Sequence, residues 1–503
     1  MIRHVVALLA SAPFPAAVSA GADTPPPFSF TREVRAGERT FLADFGRIAV
    51  PERRGRDGSP GIEIAVCRLR STAEKPGPPL FFLPGLPGTA TSLRESEAFA
   101  PLFARILERC DVVLLDQRGT GESRPNLDWD SPDWKPWLLY GGEAAATAHA
   151  LDSARAARAH FAKPGFDTGA YDALESADDV DAVRRAIGYG RADLMGHSSG
   201  SHLALTVLRR HPDAVRRLVS VGTAGPDDLM KPPSESDAAL ARVARLVRED
   251  PAAGKGMPDL AGSLRALLEK LEKEPQPVRV ADPRTGESVE TALGAFGLRL
   301  LLLQDLGDET DLTVFPRLVR SLENRDPALA EWFLGKRVRQ LRRFPVALFA
   351  SRASIGASKG VLKRIESEAP GSLFGTARLL FCPAIGAALG VRDVGDEARS
   401  AVKSDVPALF VSGTLDAHTP PDQAERVRAG FPNSVHLVLE DLGHDSILFD
   451  ERARERIVAF LAGKPAQDER LAGTRLRFAP VEGAADPSIH PSLSTGFAPR
   501  NAK

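Results

Sequence analysis

Gly196-His197-Ser198-Ser199-Gly200 decides how this chain is read. The apolar stretch Arg191-Ala192-Asp193-Leu194-Met195 enters it as a short strand, and residues 201–209, rich in alanine and leucine, leave it as a helix closed by His211-Pro212. A serine set between a strand and a helix takes a strained backbone. The positions two residues to either side must then be small, and both are glycine. The Ser198 hydroxyl is thereby held out where a base can reach it.

Working outward from this elbow, the grammar is that of a parallel sheet with crossover helices. Pro79-Leu80-Phe81-Phe82-Leu83 and Asp111-Val112-Val113-Leu114-Leu115 are short apolar runs without alternation, as expected of strands buried on both faces, and residues 92–108 between them read as helical. Upstream, Gly61-Ile62-Glu63-Ile64-Ala65-Val66-Cys67-Arg68-Leu69 alternates like a half-buried strand, with residues 41–50 as its antiparallel partner. Downstream come a helix over 171–187, the strand ending at Gly196, and the strand Arg217-Leu218-Val219-Ser220-Val221. An open, mostly parallel α/β sheet is the economical reading.

From about 225 to 400 the strand signals stop and amphipathic helical stretches take over, which reads as a helical cap. Val406-Pro407-Ala408-Leu409-Phe410-Val411 and Val435-His436-Leu437-Val438-Leu439 resume the sheet, and a helix over 451–461 closes the core. The expected organisation is an export signal at 1–20, a first core part at 21–224, the cap at 225–400, a second core part at 401–465 and a tail at 466–503, in which residues 474–478 are the candidate for one added strand.

The chain has 503 residues, too many for one ordinary compact unit. Its 65 Lys and Arg nearly balance its 66 Asp and Glu, interspersed, which argues against nucleic acid or an anionic membrane as principal partner. A small molecule or a peptide fits better. Met1-Ile2-Arg3-His4, the apolar residues 5–10 and Ala16-Ala17-Val18-Ser19-Ala20 have the layout of an export signal cleaved after Ala20, and place the protein outside the cytoplasm, secreted or periplasmic. No later apolar stretch reaches membrane-spanning length. Cys67, Cys110 and Cys382 have no metal-ligand spacing and allow at most one disulfide. Cys67 and Cys110 can pair or stay as buried thiols. No cofactor and no metal is expected.

A serine hydroxyl is a poor nucleophile until a base takes its proton, and the base needs an acid to fix its tautomer. In folds of this grammar the acid and then the histidine come after the elbow, at the carboxyl ends of later strands. Asp416 comes after the strand through Val411 and the turn Ser412-Gly413-Thr414-Leu415, and His444 lies in Leu442-Gly443-His444-Asp445 just past the next strand. The rivals are placed less well: His436 lies inside a strand, His418 almost abuts Asp416, His490 lies in the tail, and His197 and His202 flank the nucleophile too closely for in-line approach. Asp441 and Asp445 are rival acids. For the developing oxyanion, the expected donors are the N–H groups of Ser199, next to the nucleophile, and Leu86, in the turn Pro84-Gly85-Leu86-Pro87-Gly88.

Asp116-Gln117-Arg118-Gly119-Thr120-Gly121-Glu122-Ser123 after a strand, together with the elbow and the late Asp and His, resembles the proline iminopeptidase and tripeptidyl aminopeptidase group of α/β-hydrolases. The resemblance spans most of the chain outside cap and tail. It implies an α/β-hydrolase fold, a mostly parallel central sheet with helices on both faces and a large, mainly helical cap inserted before the last core strands. It also implies release of short N-terminal units from peptides through an acyl-enzyme, with cap carboxylates holding the substrate amine. Asp116 to Ser123 itself reads as structural support. Two positions depart from the group, which typically carries His-Gly-Gly-Pro-Gly at the oxyanion loop and an aromatic residue where this chain has Ser199. A carboxylesterase or lactone hydrolase with the same triad is the alternative, and a non-catalytic binding protein on the same scaffold is the reading from another class. Haloalkane and epoxide chemistry would place a carboxylate, not serine, at the elbow.

Overall fold

Leu80, Phe82, Val112 and Leu114 fall into one hydrophobic cluster, and Phe81, Leu83, Val113 and Leu115 into another. Successive side chains of a strand point to opposite faces, so unbroken apolar runs mean a sheet covered on both sides. The computed structural model describes residues 27–85, 89–305, 307–377, 383–483 and 488–493. The expected export signal, Leu86 and Cys382 lie outside them.

In chain order the strands are β1 (Phe30–Ala36), β2 (Arg39–Pro51), β3 (Gly61–Leu69), β4 (Gly77–Leu83), β5 (Cys110–Leu115), β6 (Asp128–Trp129), β7 (Ala192–His197), β8 (Val215–Val221), β9 (Gln276–Ala281), β10 (Ser288–Leu293), β11 (Phe344–Pro345), β12 (Ala408–Gly413), β13 (Ser434–Leu439) and β14 (Glu469–Leu471). Ten of them make one sheet, ordered β1-β2-β3-β5-β4-β7-β8-β12-β13-β14. From β5 to β14 the neighbours are parallel, and β1 to β3 extend the sheet antiparallel. Helices Ala100–Leu107 and Glu451–Leu461 pack on one face, and Ala173–Ala186, Ser199–Arg210 and Pro421–Arg428 on the other. This is the α/β-hydrolase fold.

The expected helix over 92–108 is split into a short turn of 3-10 helix, Thr91–Glu95, and the helix Ala100–Leu107. Pro101 in the first turn accounts for the break, since a proline starts a helix readily but cannot continue one. Cys67 and Cys110 are both free and buried. The register sets Cys67 opposite Leu114, four residues along β5 from Cys110, or about 13 Å at the rise of a strand. A disulfide tolerates about 7 Å between Cα atoms.

A third cluster forms the cap, and its composition moves the expected boundaries. Beside residues of 240–389 it takes in Leu127, Trp134, Tyr140 and the stripe Ala146, Ala150, Ala154, Ala157 and Phe161 of the helix Glu143–Ala162. The cap side is thus built from more than one chain segment, the first of them ahead of Ser198. Its second segment is not free of strands: β9 and β10 pair antiparallel, with Val278 and Val280 buried and Pro277 and Arg279 exposed between. Nor is the C-terminal stretch a loose tail. The added strand is β14, not 474–478, and Phe478, Ala479, Val481 and Leu493 are buried in the cap cluster. Among the described residues, no helix is long and apolar enough to cross a membrane.

Candidate active site

β7 ends at His197 and a helix starts at Ser199, leaving Ser198 between them at φ 58°, ψ −131°. A residue with a side chain keeps such a backbone only where its surroundings enforce it. They do so here. A Cβ on Gly196 would stand 2.5 Å from Gly200 O, and one on Gly200 would stand 1.9 Å from Leu83 O at the end of β4. The Ser198 N–H donates to Val221 O at 3.0 Å, the Ser201 hydroxyl donates to Ser198 O, and the Ala224 N–H donates to that hydroxyl at 2.8 Å. Gly200→Ala is therefore expected to force the elbow away from β4 and cost about 1–3 kcal/mol or more, as overpacking does. Urea unfolding with an unchanged m-value checks this.

His444 lies just past β13, and its Nδ1 is 2.7 Å from Asp416 Oδ2. The Asp416 carboxylate, 2 % exposed, also accepts the His418 and Thr419 N–H groups at 2.7 and 2.8 Å and the Thr419 hydroxyl at 2.6 Å. Burial works against its charge, but the adjoining imidazoles and these hydrogen bonds outweigh burial and hold its pKa well below the usual carboxylate range. Burial likewise pulls His444 down, while the charge of Asp416 and the bond to it push harder and leave His444 above a free imidazole. An ionised Asp416 accepts, so Nδ1 carries the proton and Nε2 offers a lone pair. Gly222, at φ 56°, lets β8 come close: a Cβ there would sit 2.8 Å from Thr419 Oγ1 and 3.3 Å from His444 Cε1.

Ser198 is half-buried, and its hydroxyl is not hydrogen-bonded to His444 in this structure. Such links commonly close only around substrate. The two loops are nonetheless tied together, because His197 Nε2 lies 3.1 Å from His444 O and the two rings are 4.8 Å apart. Burial, then the charge of His444, takes His197 down to about 4, so it stays neutral while its neighbour titrates. A ring nitrogen of each and a carboxylate oxygen of Asp445 lie within 4.8 Å of one another, the one grouping of metal-ligating type among the described residues. Both rings are already engaged, that of His197 with His444 O and that of His444 with Asp416.

Across the nucleophile runs the turn at Pro84 and Gly85, where a Cβ on Gly85 would lie 3.3 Å from Ser198 Oγ. Leu86 is outside the described residues. Ser199 opens the twelve-residue helix Ser199–Arg210, whose positive end faces the elbow. Behind the turn, Gln117 Nε2 donates to Pro84 O at 3.4 Å. Asp116 accepts the N–H and hydroxyl of Thr91 and the Glu122 N–H at 2.7–2.9 Å. The run from Asp116 to Ser123 thus braces the turn at Pro84 and Gly85.

The structure brings Asp416 to His444 and both beside the strand end that carries Ser198. Asp441 and Asp445 do not meet Nδ1, and His436 is held within the sheet by Glu425 and Ser412. Two contributors are not evident from sequence. Thr419, three residues after Asp416 in a pattern typical of side-chain-capped turns, bonds both members of the pair, at 3.1 Å to Nδ1. His197, which its position beside Ser198 suggests is mere packing, holds the main chain of His444.

Two stretches of the chain match known protein families. Residues 78–263 match the alpha/beta hydrolase fold family, and residues 377–469, which include Asp416 and His444, match the TAP-like protein family. Serine protease Hip1 of Mycobacterium tuberculosis is 29% identical over 189 residues, 36% of this chain and 36% of that protein. Tripeptidyl aminopeptidase of Streptomyces coelicolor is 28% identical over 184 residues, 35% of this chain and 34% of that protein. The chain thus matches about a third of the length of these relatives. The solved structure of a proline iminopeptidase from Mycobacterium smegmatis superposes with a TM-score of 0.40 at 16% identity, covering 83% of this chain and 98% of that one. The chain has the α/β-hydrolase fold, and its C-terminal part is similar to TAP-like proteins.

Proposed function

We propose that this chain is an exported serine aminopeptidase that removes short units from the N-termini of peptides through an acyl-enzyme. Ser198 Oγ attacks the scissile carbonyl carbon as His444 Nε2 takes its proton. The resulting imidazolium is stabilised by Asp416 through Nδ1–H. The oxyanion is met by the N–H groups of Ser199 and Leu86. His444 then gives its Nε2 proton to the leaving amine, the C–N bond breaks, and water repeats the sequence to release the acyl unit.

One observation carries the peptide reading. The stretch that matches the TAP-like family, 377–469, contains both Asp416 and His444, and the tripeptidyl aminopeptidase of S. coelicolor is among the relatives. The layout of residues 1–20 supports export.

An aminopeptidase recognises a free amine, and acetylation leaves the acid that holds it buried and unpaired, a loss of roughly 2–5 kcal/mol. Aminoacyl and tripeptidyl anilides are therefore expected to lose at least about 30-fold in kcat/KM on N-acetylation, as that energy requires. Indifference to acetylation, with faster turnover of short acyl esters, would establish an esterase in place of a peptidase.

A further inference from the structure

The C-terminal stretch carries a buried histidine that meets no part of the triad. His490 is 1 % exposed, its ring 4.8 Å from that of Trp332 and 5.8 Å from that of Phe333. Its Nδ1 accepts the Ser492 N–H at 3.1 Å, so Nε2 carries the proton that faces Asp311 Oδ1, also at 3.1 Å. Asp311 pairs in addition with Lys336. Six residues earlier, Asp305 is buried and pairs with Arg337 and, at 3.6 Å, with Lys336. The turn that starts at Gly307 is thus pinned at Asp311 by His490 and Lys336.

That turn holds the base. Gly307 O accepts the His444 N–H at 2.7 Å, and Glu309 Oε2 accepts the Gly443 N–H at 3.0 Å. Contact is close enough that a Cβ on Gly443 would stand 2.3 Å from Glu309 Oε2, and one on Gly307 would stand 2.4 Å from the His418 ring. The same C-terminal stretch ties down the segment just after the turn, the Ala479 N–H donating to Thr313 O at 2.8 Å and Arg317 donating to Pro480 O and Gly483 O at 2.9 Å each.

We infer that His490 is a positioning residue for the reaction: by latching Asp311 it fixes the Gly307–Glu309 turn, which holds the main chain of Gly443 and His444 in register with Ser198. A buried ionic cluster is weak evidence for net stability, and removing one of its members leaves its partner buried and uncompensated. The inference rests on His444 being the base.

The test uses the full chain carrying His490→Phe, which keeps the aromatic packing but has no N–H for Asp311, and His490→Gln, which keeps one. Active sites are counted by fluorophosphonate titration, so a lost nucleophile is told apart from a displaced base. Per titrated site, His490→Phe is expected to lower kcat about 10- to 100-fold, as a displacement on the order of 1 Å does. KM should stay within about twofold, since contacts made equally before and during reaction are untouched. His490→Gln should recover most of the loss. Independently of turnover, amide hydrogen exchange should accelerate over 440–448 and not over β7. Unchanged kcat per site, equal impairment of the glutamine variant, or equal acceleration in β7 would each overturn the latch. Should His490→Phe not fold, the exchange of His490→Gln beside the same chain with Asp311→Asn decides, the latter alone being expected to loosen 440–448.

Discussion

Ser198→Ala is expected to lower kcat by roughly 10^5- to 10^6-fold, the scale on which a serine hydrolase loses its nucleophile. The expectation comes from position. Ser198 is held at positive φ by the Val221, Ala224 and Leu83 main chains, and alanine loses only the hydroxyl from a site those contacts already define. Folding should accordingly be preserved, with unfolding midpoints close to those of the parent. The residual rate is informative, because oxyanion donors and substrate binding persist and leave about 10^3- to 10^4-fold over water. Steady-state kinetics on the same folded preparation measure both.

Asp416→Asn is expected to cost about 10^4-fold in kcat, because an amide in place of the carboxylate favours the wrong imidazole tautomer. The pH profile separates this from a general loss. His444 must be neutral at Nε2 to act as base, so activity falls as pH drops through its pKa. In the parent, Asp416 outweighs burial and holds that pKa above the free imidazole, so the acid limb of kcat/KM is expected above about 6.5, the ordinary histidine value. In the variant burial remains and its chief opponent is gone, which moves the limb downward. Thr419 bonds both Asp416 and His444, so Thr419→Val should shift the limb in the same direction by less.

Much of this is legible in the residues, and for identifiable reasons. The elbow is readable because its constraints are local, a strand, two glycines and a helix within a few positions. Asp416 and His444 are found by topology, since the carboxyl ends of parallel strands converge on one rim. Residues 143–162 escape a sequence reading because alanines mark a buried face only weakly, and the stripe Ala146 to Ala157 gains meaning only against the cap. The β9–β10 hairpin is hidden among helical signals although its valines alternate with Pro277 and Arg279. No periodicity foretells that Phe478 and His490 return to the cap, because those contacts are set by partners over 150 positions away. The disulfide that composition leaves open between Cys67 and Cys110 is settled by register alone.

Mapping of a fluorophosphonate adduct by peptide mass tests the central claim most directly. Ser198, served by His444 and Asp416, is predicted to be the single modified residue, with one phosphonyl group per chain and none on Ser198→Ala. An adduct on another serine, or equal labelling of parent and variant, would contradict it.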